Sequence, residues 1–184
     1  MAAGASRRLG RPKLLETVGG RSLVARALAA AAGRPAVVVA SPAVADALEA
    51  GGLPPGVLLV RNDAPERGMN HSLALADAAI PPGEPIAVLP ADMPDCDAAA
   101  VARVVDAYDD DADVVVPRAG ERPGHPVVFG PAARRAIARL GDGDGLHRIR
   151  DDVTLRRRDV AVADARAFDD IDTEADLAAR RARD

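Results

Sequence analysis

The sequence predicts an α/β fold, a mostly parallel sheet with helices on both faces. Three observations lead there. Valine-rich runs at 36–40 (AVVVA), 57–61 (VLLVR), 86–90 (IAVLP) and 113–117 (DVVVP) are apolar nearly throughout, as strands covered on both faces must be. Alanine-rich stretches of helical length separate them, and strand–helix–strand alternation implies parallel pairing. Gly and Pro clusters at 51–56 (GGLPPG) and 81–83 (PPG) punctuate the alternation.

In chain order, an Ala-rich helix is expected over 22–32, then the strand 36–40. A helix over 43–50 ends at the first Gly/Pro cluster, and the strand 57–61 follows. A helix over 70–79 ends at the second cluster, and the strand 86–90 runs into an acid and a turn. Asp95 or Asp97 can cap the helix over 98–108. Strands at 113–117 and 127–129, a helix over 131–140 and a strand at 160–163 come next. Thr173-x-x-Asp176 approximates a capping box before a final helix over 174–183. No composition break marks a linker and no repeat occurs, so residues 1–184 are expected to form one domain.

Composition narrows the function. The net charge of -4 and an aromatic content of 2% argue against a nucleic-acid binder. The single Cys96 excludes an intramolecular disulfide and a multi-cysteine zinc site, and the three His lack metal-ligand spacing. No apolar run reaches membrane-helix length and no secretory h-region opens the chain, so a cytoplasmic protein is expected. Of 24 cationic Lys and Arg residues only Lys13 is lysine. A compact ammonium and a planar guanidinium do different work, so that position draws attention.

Four segments carry chemistry-bearing residues. In 4–13 (GASRRLGRPK) small residues and cations suit a polyphosphate, although a basic N-terminal tail has the same composition. It is neither a Walker A loop nor GxGxxG. Asp92, at the carboxyl end of the strand 86–90, is placed to hold Mg²⁺ against a triphosphate or to make an Asx turn. Both Asn of the chain, Asn62 and Asn70, fall in 61–73 (RNDAPERGMNHSL), and an Asn amide suits reading a base edge. His125, in Gly124-His125-Pro126, can bond a phosphate, transfer a proton, or be a satisfied polar group of a turn.

These residues together resemble the MobA-like nucleotidyltransferases. Met1-Ala2-Ala3-Gly4-x-Ser6-x-Arg8-Leu9-Gly10-x-x-Lys13-x-Leu15 matches the family's L-A-[AG]-G-x-S-x-R-M-G-x-x-K-x-L-L, and Asn62, Gly68 and Ser72 match N-x(5)-G-M-x-x-S-L. The resemblance implies a three-layer α/β/α, Rossmann-like (GT-A-like) nucleotidyltransferase fold. It implies a nucleotide-binding set of Ala3, Gly4, Ser6, Arg8, Gly10, Lys13, Asn62, Gly68 and Ser72, with Arg8 and Lys13 on the phosphates. Asp92 of Asp-x-Pro becomes a Mg²⁺ ligand and, with Lys13 and Arg8, part of the catalytic set. Asp172 of Asp-Ile-Asp-Thr completes the metal shell, with Asp170 second, and His125 faces the acceptor. The loop 141–145 (GDGDG), read by itself as a flexible turn, would lie by the acceptor pocket.

The resemblance is strongest to the molybdenum cofactor cytidylyltransferase branch, on Ala3 and on the Gly-His-Pro-Val-x-Phe-Gly run at 124–130. It implies CMP transfer from CTP to phosphorylated molybdopterin with release of pyrophosphate. Other phosphorylated acceptors of the same fold, or a non-catalytic chaperone for a molybdoenzyme, are the alternatives. One departure stands out: in the family this loop follows the first, central strand, whereas Met1 already lies inside the motif. The expectation is that strand residues belong upstream of Met1; a sheet without them would leave strand edges unpaired.

Overall fold

A computed structural model describes residues 10–141 and 143–183. Lys13–Leu15 form a 3₁₀ turn that buries Leu14, and a Gly19–Gly20 hairpin joins β1 (Thr17–Val18) to β2 (Arg21–Ser22). The Ser22 side chain accepts from Ala25 N and starts α1 (Leu23–Ala30). β3 (Ala36–Ala40), α2 (Pro42–Gly51) and β4 (Val57–Arg61) make a parallel unit, with Pro42 at the first turn of α2. After a 3₁₀ turn at Pro65–Arg67 come α3 (Met69–Ala78) and β5 (Ile86–Val88).

Asp97 caps α4 (Ala98–Val105), accepting from Ala100 N at 2.8 Å. β6 (Val114–Ala119), β7 (Arg122–Pro123), β8 (Val127–Phe129) and α5 (Pro131–Ile137) follow. α6 (His147–Arg150), β9 (Arg157–Ala161) and α7 (Glu174–Arg181) complete the chain. Thr173 and Asp176 form a reciprocal capping box on α7, as the sequence suggests.

β6 pairs in parallel with β9 and antiparallel with β7 and β8, and β8 also pairs antiparallel with β5. β5, β6 and β9 therefore share one direction, and β8 is the reversed strand between them. β3 and β4 form a separate two-stranded parallel sheet, and among the described residues no ladder joins β3 to β5.

The larger sheet explains its own apolar runs. Val114, Val116, Val127 and Phe129 face one side, against Ala133 of α5 and Ile149 of α6. Val115 and Val128 face the other, against Val104 of α4. Successive residues of one strand thus enter opposite helical layers, so no position can be polar. α1, β3 and α2 share a second core that reaches Ala91, Ile171 and Leu177.

Several boundaries differ from expectation. β9 begins at Arg157 because pairing with β6 extends it through the polar Arg157, Arg158 and Asp159. β5 stops at Val88, and the helices expected over 22–32 and 131–140 end earlier, at Ala30 and Ile137. β1, β2, β7 and α6 are too short to have a periodicity and were not expected.

Candidate active site

Two backbone features bring distant acids together. Asp92 follows the buried Ala91 beyond the carboxyl end of β5. Its carbonyl accepts from Ile171 N at 2.9 Å, and Ile171 is itself in the core. That bond brings the next residue, Asp172, beside the turn after β5. The Thr173–Asp176 cap then holds the Asp172 backbone, whose N–H also bonds the Asp176 carboxylate at 3.1 Å.

Lys13 closes the arrangement. Its Nζ lies 2.9 Å from Asp92 Oδ2 and 2.7 Å from Asp172 Oδ1, with only 11% of the side chain exposed. Burial works against its charge, but the bonds to Asp172 and Asp92 outweigh burial and hold its pKa above the ordinary lysine value. The loop around Lys13 is tied to α7. Glu16 pairs with Arg11 and Arg181, Arg181 also bonds Thr17 O at 2.9 Å, and Arg11 reaches Glu174. The sequence reading missed this brace; a Glu in a basic loop facing Arg in the last turn of α7 was its only signal.

Asp92 Oδ1 is buried and has no hydrogen-bond partner among the described residues. An orphaned carboxylate oxygen beside a second carboxylate fits a hard divalent cation. Among the described residues no group of three or more His, Cys, Asp or Glu could hold a metal. Asp92 and Asp172 would therefore supply two ligands, leaving the others to phosphate oxygens and water. Asp172, not Asp170, is the acid that meets Lys13.

Asn62, Gly68 and Ser72 form one hydrogen-bonded group. Asn62 is 0% exposed; its Nδ2 donates to Ser72 Oγ at 2.9 Å and its Oδ1 accepts from Ala64 N at 2.9 Å. Both polar atoms of this amide thus take part in holding the loop after β4. Gly68, at φ 94°, occupies backbone space that a side chain would strain, and it leads into α3. Asn70 Nδ2 donates to Gly141 O at 2.5 Å and to Asp144 O at 2.8 Å. Gly141 and Asp144, two described residues of the loop read as a flexible turn, are thus tied to α3.

His125 Nδ1 lies 3.2 Å from Val88 O. A carbonyl only accepts, so Nδ1 carries the proton in this contact. Burial, with Arg150 nearby, pushes the ring below its ordinary pKa, so at neutral pH the other nitrogen, Nε2, is an acceptor. In that state His125 presents a lone pair suited to a hydroxyl or N–H, whereas a contact with a phosphate would use the protonated ring. Under it, buried Cys96 donates weakly to His125 O, and burial pushes its thiol up to about 11, too high for a nucleophile. Gly10 lies in a turn at the start of the described segment, whereas Ala3, Gly4, Ser6 and Arg8 lie outside the described residues.

The sequence profile of the MobA-like NTP transferase domain matches residues 1–160. Rv0371c from Mycobacterium tuberculosis H37Rv is similar over 98% of this chain and 94% of its own, at 25% identity and TM-score 0.84. A structure of the same protein in complex with manganese matches over 95% and 93%, at 23% identity and TM-score 0.77. The 2-C-methyl-D-erythritol 4-phosphate cytidylyltransferase of Thermus thermophilus shares the fold over 98% and 95%, at 23% identity and TM-score 0.67. A search of curated proteins finds no match.

Proposed function

The chain belongs to the MobA-like NTP transferase domain family, and from that premise we propose that it is a Mg²⁺-dependent nucleotidyltransferase that moves CMP from CTP onto phosphorylated molybdopterin. The observation that carries the reading is the Lys13–Asp92–Asp172 constellation, with its buried, unpartnered carboxylate oxygen. A cofactor-phosphate oxygen attacks the α-phosphorus of CTP, a new P–O bond forms, the α–β bridging bond breaks, and pyrophosphate leaves with the electron pair. No covalent enzyme intermediate is needed; the requirements are alignment and charge neutralisation.

Each side chain then has a task. Asp92 and Asp172 would hold the divalent ion, which when bound neutralises phosphate charge. Lys13, with Arg8 by its place in the motif, offsets charge growing on pyrophosphate. Asn62, Gly68 and Ser72 shape the loop that receives the base, and His125 Nε2 accepts from a donor on the acceptor molecule. The manganese complex of Rv0371c supports a divalent ion in this fold. Ala3 and the Gly-His-Pro run support CTP and molybdopterin over other pairs.

Pyrophosphate release measured with each nucleoside triphosphate, with Mg²⁺ or Mn²⁺, and with phosphorylated molybdopterin tests the reading. CTP should turn over fastest, and only with metal and acceptor present. Turnover with a sugar phosphate or phospho-acid in place of molybdopterin would move the assignment to another acceptor class. No turnover of CTP by the folded chain would overturn it.

A further inference from the structure

A groove of about 460 Å³ lies between α4, the segment after β9 and the end of α7, and none of Lys13, Asp92 and Asp172 lines it. About 9 Å of helix separates Arg180, at the groove, from Glu174 at the start of α7. Four arginines and three aspartates line the groove. Each aspartate has its partner: Asp164 pairs with Arg166 at 2.7 Å, Asp95 pairs with Arg180 at 2.7 Å, and Asp97 Oδ1 accepts from Ala100 N at 2.8 Å. The other two arginines are Arg103, in the last turn of α4, and Arg183, just beyond α7. Both are exposed, and among the described residues neither guanidinium has a hydrogen bond or an ion pair. We propose that this groove binds a small organic phosphate, a phosphate monoester with a compact body, through Arg103 and Arg183.

Charge, shape and size each point the same way. Two uncompensated cations on one concave surface raise the local concentration of anions, although the chain as a whole carries a net charge of -4. A guanidinium fork matches the oxygens of a carboxylate or a phosphate. A carboxylate is planar and carries one charge, which a single guanidinium satisfies. A phosphate monoester carries nearly two charges and directs three acceptor oxygens apart, so it can receive forks from two walls at once. The groove is larger than inorganic phosphate needs and falls in the range of small-molecule sites. Ala100, Val162 and Ala167 supply small apolar lining for the rest of such a ligand. The Asp95–Arg180 pair, with the Arg180 side chain 10% exposed, ties the segment after β5 to α7 and fixes one wall before any ligand arrives. The site uses no residue that the nucleotidyltransferase reading needs.

Titration calorimetry on the full chain without metal tests this, with phenyl phosphate as the probe. Binding should saturate, and it should be tighter than that of inorganic phosphate or of benzoate, the carboxylate of similar size. Arg103→Gln and Arg183→Gln should each weaken phenyl phosphate about tenfold, the scale of losing a charged hydrogen bond. Lys13→Met should leave the groove's binding in place. Ala99→Trp, at an exposed position of the lining, should weaken phenyl phosphate more than inorganic phosphate by filling the space for the ring.

Phenyl phosphate binding that survives both arginine variants unchanged overturns the proposal. So does binding abolished by Lys13→Met, which would put the probe in the candidate active site, and so does the absence of saturation in the millimolar range. Benzoate bound as tightly as phenyl phosphate overturns the choice of a phosphate. The melting transition of each variant shows that it folds, and if one arginine variant does not, the other and Ala99→Trp decide.

Discussion

The Lys13 head has to be compact. Two carboxylates approach it from separate segments, 159 positions from end to end in one case, inside a space that leaves it 11% exposed. A guanidinium keeps the charge there but spreads it over a rigid fork. Lys13→Arg is therefore expected to fold with an unchanged melting transition and to lose about 100-fold in kcat, the scale of losing one stabilising donor. Turnover near the normal rate would show that any cation serves. His125 makes the complementary case. Burial lowers its pKa below the ordinary 6.5, so the ring is neutral at pH 7. As pH falls through the folded pKa, Nε2 gains a proton and changes from acceptor to donor. kcat/KM for the acceptor should then fall on the acid side with an apparent pKa below 6.5, and His125→Asn should lack that limb. An unchanged limb in the variant would assign it to another group. The folded state also loses stability over the same range, because the unfolded chain binds the proton more readily.

At the scale of elements, the turn into β8 is locked to the turn before α7. A Cβ placed on Gly124 would come within 2.1 Å of the Phe168 ring. Gly124→Ala should therefore cost about 1–3 kcal/mol through overpacking, read by denaturant unfolding. Combined with Phe168→Leu, its further cost should shrink, because the two residues compete for one space. Strict additivity would mean that the ring moves aside at no cost. The same scale shows what was legible. The strands 36–40, 57–61 and 127–129 lie where the apolar runs put them, and the caps Asp97 and Thr173–Asp176 are where the spacing implies. β9 was half hidden, because Arg157, Arg158 and Asp159 are strand residues only by virtue of backbone pairing to β6. Asp95, an alternative cap on sequence, instead pairs with Arg180 of α7 at 2.7 Å.

At the scale of the molecule, the sheet gathers Lys13, Asp92, His125 and Asp172 from segments far apart in the chain. Periodicity and composition determine the layers by themselves, since a strand covered on both faces must be apolar at every position. The acid beyond β5 and the acidic turn before α7 were also legible, because the end of an apolar strand and the spacing of a capping box mark both places in the sequence. Tertiary structure alone decided which atoms meet. It spent the Asn62 amide on Ser72 and Ala64, turned His125 into a lone-pair acceptor through Val88 O, and put one ammonium between two carboxylates. The physical reason is that a side chain's type is written at one position, whereas its partner, protonation and reach depend on neighbours that only the folded chain brings within 3 Å.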